Sequence, residues 1–194
     1  MAGLARHVRG IAGLGARRPA PYPVGLAAVL VTVGMLFAAF TAALLVRRTG
    51  TDWTPVALPP IVWVNTVILL VSSGAVELAR AAVRRGDSRR SARWQAIAGL
   101  LGVAFLAGQV VVWRLLALRG VFLPSNPHAA FFYMLSAVHA AHLLGGLAAL
   151  GWTLRRAAAG AYTAEHHAGL THAAIYWHFV GGVWVYLLIV LSTL

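Results

Sequence analysis

The chain has 194 residues, 60% of them hydrophobic and 10% charged, and its 16 basic residues, all arginine, outweigh 4 acids to give a formal charge of +12. A chain this apolar cannot hide its surface in a water-soluble core and needs lipid. Arginines set between apolar runs then read as a topology signal facing anionic headgroups and not as a nucleic-acid footprint. Zero cysteines exclude a disulfide framework, a thiolate metal site and a cysteine nucleophile.

Residues 1–23 carry Arg6, Arg9, Arg17 and Arg18 with Pro19, Pro21 and Pro23. The apolar run that follows, 24–46, is longer than a signal-peptide core and has no small-residue cleavage pattern, so it is expected to be a retained membrane span. Arg47-Arg48 and a polar turn with Asp52, Trp53 and Pro55 lead to Pro59-Pro60, which opens a second run, 60–83. Proline is tolerated there because the first turn of a helix has unpaired N–H groups in any case. Gly86 and Asp87, with Arg84, Arg85, Arg89, Arg90 and Arg93, predict a basic loop before a third run, 94–118. Asn126 is placed to cap a fourth helix over 127–154. Arg155, Arg156, Gly160 and the polar stretch 162–165 separate it from a fifth, 165–192. Each run exceeds the roughly 20 residues that cross a hydrocarbon core of about 30 Å. The expected fold is therefore all-α: a basic N-terminal segment, 1–23, and one membrane domain of five transmembrane helices, 24–194.

Orientation follows from alternate loops. With the N-terminus in the cytoplasm, 12 arginines fall inside and 4 (Arg47, Arg48, Arg114, Arg119) outside. Basic loops stay in the cytoplasm, which predicts N-in and C-out. Within the spans, Ala137, Ala141, Gly145 and Ala149 form a small-residue stripe on helix four, and Ala98-Gly102 and Ala104-Gly108 do the same on helix three; such stripes let helices approach closely in lipid.

Intramembrane ionisable side chains are functional candidates by default, which singles out His139, His142 and His178. His139 and His142 are three residues apart, roughly on one face of helix four, and His178 can share a depth with His142 on helix five. Three uses compete: a bis-histidine haem site, a proton path, and neutral imidazoles bonded to Ser136, Tyr176, Thr171 or a carbonyl that stitch helices four and five together. With no carboxylate expected deep in any span, the stitching role is the expected one. Glu77, with Arg80 three residues on, reads as an interfacial ion pair. His166-His167 beside Glu165 reads as an exposed, solvated loop. No phosphate loop, zinc-protease motif or dinucleotide fingerprint occurs, and no catalytic constellation is evident.

The string Phe131-Phe132-Tyr133 with His139, His142 and Gly145-Gly146, then Tyr162-Thr163 with His166-His167-Ala168-Gly169, then Tyr176-Trp177-His178-Phe179-Val180 with Trp184, resembles subunit III of the haem–copper oxidases. Asn65-Thr66 with Leu69-Leu70 and Ser72-Ser73, and Gly108-Gln109, fall where that family has similar signatures. The resemblance covers 24–194 and is to the short, five-helix form, which lacks the first two spans of the seven-helix form. It implies a non-catalytic subunit of a multi-pass bacterial plasma-membrane complex, packed beside the haem- and copper-bearing subunit I and contacting other oxidase subunits. It also implies no haem or metal in this chain, phospholipid held against it with Arg80, Arg84, Arg85, Arg89, Arg90 and Arg93 as headgroup candidates, and support of proton uptake and oxygen reduction by its partner. The contact with subunit I is expected from spans 24–46 and 60–83. His139, His142, His178, Tyr176, Trp177, Asn65 and Glu77 are the expected buried structural or functional residues. The chain departs from the family where Gly181 and Thr171 replace usual acids and where the carboxylate usual before Asn-Thr is missing. Two other readings stay open: an accessory subunit of a nitric oxide reductase, and an independent haem b electron carrier built on His142 and His178.

Overall fold

The computed structural model describes residues 24–163 and 165–194, so the expected basic segment with Arg6, Arg9, Arg17 and Arg18 lies outside the described residues. Five helices are long and apolar enough to cross a membrane: α1 Val24–Arg47, α2 Ile61–Arg84, α3 Ser88–Leu118, α4 Pro127–Ala158 and α5 Ala168–Thr193. No strand occurs among the described residues.

The helix ends follow local chemistry. Val62 and Trp63 donate to the carbonyls of Pro59 and Pro60, so the prolines stand at the edge of α2 where no helical N–H is lost. Gly86, at φ 78°, takes the left-handed turn that ends α2. Asp87 then caps α3, its carboxylate accepting from the Arg90 N–H at 2.8 Å. The expected basic loop is thus shorter than its sequence implies. α3 begins at Ser88 and not at Trp94, and Arg89, Arg90 and Arg93 ride on its first two turns. Asn126 caps α4 as expected, accepting from Ala129 N–H at 2.8 Å. α4 runs four residues past the expected end, and α5 starts at Ala168 instead of Glu165.

The tight α2–α3 connection makes these two helices an antiparallel hairpin with the most extensive pairing in the molecule. α3 packs on α4, α4 on α5, and α5 back on α2, closing a four-helix ring. α1 rests outside it on α4 and α5. Its inward stripe is narrow: Val33, Phe37, Thr41 and Leu44 are its buried residues, Phe40 packs partly against the core, and most of its remaining, largely apolar surface faces outward.

Trp177 is fully buried in the ring. A Cβ added at Gly102 would stand 2.6 Å from its Cη2, and one at Gly146 would stand 3.0 Å from its Cε3. The indole therefore occupies space that two glycines on α3 and α4 leave open. Ala98 of the predicted α3 stripe is buried and its carbonyl accepts from Ser72 Oγ at 2.8 Å. The α4 stripe behaves otherwise. Ala137, Ala141 and Gly145 are exposed, and Gly145 and Ala149 line an open groove opposite Leu26 and Val29 of α1. A smaller inner cluster, Ala79, Val83, Ala157, Tyr162 and Leu170, closes the cytoplasmic-side end in the expected topology. Ser88 Oγ donates to Tyr162 O at 2.8 Å there, and the Arg156 guanidinium lies 5.2 Å from the Trp152 ring and 5.6 Å from the Tyr162 ring.

Candidate functional site

Polar side chains inside the bundle occur at three depths. At the end of the bundle that carries the α1–α2 loop, His128 is buried in the first turn of α4 and joins two other segments. The Val56 N–H donates to its Nδ1 at 3.1 Å, which makes Nε2 the protonated nitrogen that donates to the Leu191 carbonyl at 3.1 Å. Trp53 meets the same imidazole edge-on at 5.2 Å and donates from Nε1 to the Leu194 oxygen at 2.9 Å. The loop between α1 and α2 is thereby fastened over the ends of α4 and α5. Beside it, two hydrogen bonds from the exposed Arg47 guanidinium hold the Asp52 carboxyl below its usual range.

The middle depth holds the family-type residues. Asn65 is buried and donates from Nδ2 to the Phe105 carbonyl at 3.0 Å. Trp184 donates from Nε1 to Thr66 Oγ1 at 2.9 Å, joining α5 to α2. Trp113 donates to Ser136 Oγ at 3.0 Å, joining α3 to α4. Tyr176 donates to the His142 backbone oxygen at 3.1 Å, joining α5 to α4. His139 is fully buried against aromatic rings: Trp184 at 5.0 Å, Phe105 at 5.9 Å and Phe37 at 6.5 Å.

These positions correct the expected role of the histidines. Ser136 bonds Trp113 and the Phe132 carbonyl, not an imidazole. Tyr176 does stitch α4 to α5, but through a backbone oxygen. His142 is satisfied within its own helix, Nδ1 lying 2.8 Å from the Val138 carbonyl, with Phe37 against its ring at 5.5 Å. His139 makes its contacts by packing.

The third site overturns the expectation that no carboxylate supports a histidine within the spans. His178 Nε2 lies 2.7 Å from Glu77 Oε1, and Arg80 Nη1 lies 2.7 Å from the same oxygen. The expected Glu77–Arg80 pair exists, with His178 as a third member that sequence separation concealed. Arg80 is accordingly committed to Glu77, whereas Arg84, Arg85, Arg89, Arg90 and Arg93 are exposed. Arg89, Arg90 and Arg93 border an open cavity of ≈ 540 Å³ together with Asp87, Trp94 and Ile97.

For a bis-histidine cofactor, His142 and His178 would have to face one another. The structure turns them to different neighbours, Phe37 and Glu77. Among the described residues no group of three or more His, Cys, Asp or Glu side chains is placed to hold a metal ion, and His166 and His167 are outside any such group. Burial raises the phenol of Tyr162, in the α4–α5 connection, above its ordinary value, with Arg156 opposing.

Besides the Glu77–His178 contact, the sequence reading missed His128 and the Thr66–Trp184 bond. For Trp184 a signal existed: an indole N–H inside an apolar run needs an acceptor, and Thr66 is among the few hydroxyls at its depth.

A family model described as Cytochrome c oxidase subunit III matches residues 24–193. Cytochrome c oxidase subunit 3 of Thermostichus vulcanus is 34% identical over 176 residues, covering 88% of this chain and 86% of that protein. The protein of the same name from Synechocystis sp. is 34% identical over 160 residues, covering 80% and 67%. The probable cytochrome c oxidase subunit 3 of Mycobacterium leprae is 31% identical over 183 residues, covering 90% and 88%.

Proposed function

The chain belongs to the cytochrome c oxidase subunit III family, and from that premise we propose that it is the non-catalytic subunit III of a bacterial plasma-membrane respiratory oxidase, packed against subunit I, stabilising it and supporting its proton uptake. As an oxidase subunit III with five membrane-crossing helices, it is a multi-pass membrane component of a complex with other oxidase subunits. The observation that carries the supporting role is how the polar side chains of the middle depth are used. Asn65, Ser72, Trp113, Tyr176 and Trp184 each spend their donor on a neighbouring helix. Such bonds hold a shape, at about 0.6–2 kcal/mol each in lipid. A rigid shape is what a supporting subunit contributes.

Two features favour partners outside the chain. α1 and the outer face of α2 leave large apolar side chains uncovered, among them Trp63, Val64, Val67 and Val71, in keeping with the expectation that these two spans meet subunit I. The exposed arginines at the α2–α3 turn are suited to anionic phospholipid headgroups, each worth about 1 kcal/mol at a membrane surface. Arg89, Arg90 and Arg93 with Trp94 are the strongest candidates, since they share one cavity.

The experiment is to purify the complex through a tag on this chain from its native membrane and identify the other subunits and the bound lipid. An oxidase subunit I with haem and copper supports the reading. Recovery with nitric oxide reductase subunits, or alone, refutes it. Replacing Arg89, Arg90 and Arg93 with glutamine is expected to lower the bound anionic lipid without releasing the chain from the complex.

A further inference from the structure

Glu77, His178 and Arg80 form a polar cluster on the flank of the bundle, well inside the ends of α2 and α5. Glu77 is seven residues from the end of α2 at Arg84, about 10 Å along the helix, and His178 is ten residues from the start of α5 at Ala168, about 15 Å. Yet the Glu77 side chain is 47% exposed and that of His178 36%, with Arg80 at 18%. The residues around them on the outer surface are apolar, including Leu78 and Ile175. A glutamate side chain is too short to reach the headgroup layer from that depth, unlike a snorkelling arginine.

The cluster also stands beside a groove. α1 and α2 both pack on α5 with no pairing between them, so α5 forms a floor that the two leave open. On the α1 side His178, Gly182 and Tyr186 of α5 face Gly34 and Ala38 of α1 across a cavity of ≈ 420 Å³. The small residues make room for a neighbour, and His178 leads from this groove directly to Glu77 on α2. Both bonds in the cluster fall on Oε1 of Glu77. Among the described residues Oε2 accepts none, so the exposed edge presents hydrogen-bond acceptors.

Resting on the oxidase-subunit reading above, we propose that the groove between α1 and α2, floored by α5, seats one transmembrane helix of another oxidase subunit, which presents a hydrogen-bond donor side chain to Glu77 and His178. Apolar walls supply packing, and the acceptor edge fixes depth and rotation. Acyl chains fill the groove equally well but have no donor for the carboxylate, which is why the occupant is protein and not lipid.

A photo-crosslinking residue is placed at Tyr186, an exposed aromatic in the groove, or at Gly74, exposed on α2 one turn from Glu77 with open space around it. Leu100, 70% exposed on α3, serves as the control position. The tagged complex is illuminated in native membranes. Adducts from 74 and 186 are expected on a single transmembrane helix of another oxidase subunit, with at least a tenfold lower yield of that adduct from 100. Glu77→Gln is expected to cut the retention of this chain during detergent purification several-fold, with Glu77→Asp retaining more than Glu77→Gln. Adducts at 74 and 186 with lipid alone, or with a second copy of this chain, while the chain still co-purifies with the oxidase, overturn the seat and leave the oxidase reading standing. Failure to co-purify overturns both.

Discussion

Substituting alanine for Gly102 tests how the ring is packed, because the methyl group would meet a side chain that has nowhere to go. The added Cβ would be 2.6 Å from Trp177 Cη2 and 3.0 Å from Cζ2, against the roughly 3.5–4.0 Å of ordinary carbon contact. Leu147 Cδ2, also at 3.0 Å, is the free end of a flexible side chain and yields. Trp177 cannot yield in the same way: it is fully buried, and its other edge already fills the space at Gly146, where an added Cβ would come within 3.0 Å of its Cε3. Overpacking of this kind costs about 1–3 kcal/mol. Trp177→Ala alone costs about 3–5 kcal/mol through the void it leaves. In the double variant the clash has lost its partner, so its cost should equal that of Trp177→Ala or fall below it, a coupling of about 1–3 kcal/mol. Unfolding of the purified chain in mixed micelles, followed by helical circular dichroism against denaturing detergent, gives all three values. Additive costs, within about 0.5 kcal/mol, would refute the claim that Gly102 exists to admit this indole.

Three further outcomes are expected. A reporter fused after Leu194 should sit outside the cytoplasm and one inserted near Asp87 inside, as the arginine distribution requires; a topology assay returning the reverse removes the orientation. Thr66→Val takes the acceptor from Trp184 Nε1 and should lower bundle stability by about 0.6–2 kcal/mol, and by little more when combined with Trp184→Phe, since the two remove one bond. The reduced-minus-oxidised spectrum of the isolated chain should lack a Soret band, because His142 and His178 address Phe37 and Glu77 and not each other; stoichiometric haem would overturn that assignment.

Five spans and their order were legible because lipid imposes a length on each apolar run, and Asn126 announced its helix through its position before Pro127. The start of α3 was not. Ser88-Arg89-Arg90 looks like loop by polarity, and only the Asp87 cap, whose carboxylate reaches the Arg90 N–H, turns that stretch into helix. At the site, the residues were legible but not their partners. Asn65, Trp177 and His139 are buried as their apolar surroundings implied. Glu77 meets His178 across 101 positions, which no local spacing reveals. Reading Glu77 as an interfacial residue paired with Arg80 described half of its environment. His128 escaped notice because a histidine beside Asn126 and Pro127 looks like turn chemistry, while its burial depends on Trp53 and the end of α5 folding over it.

A density map of the intact complex, isolated through this chain, tests the central claim most directly. The chain should lie beside the haem-bearing subunit through α1 and α2, with a helix of an oxidase subunit against Glu77 and His178 and no haem between α4 and α5. A free oligomer of this chain, or a redox centre held by His142 and His178, would contradict it.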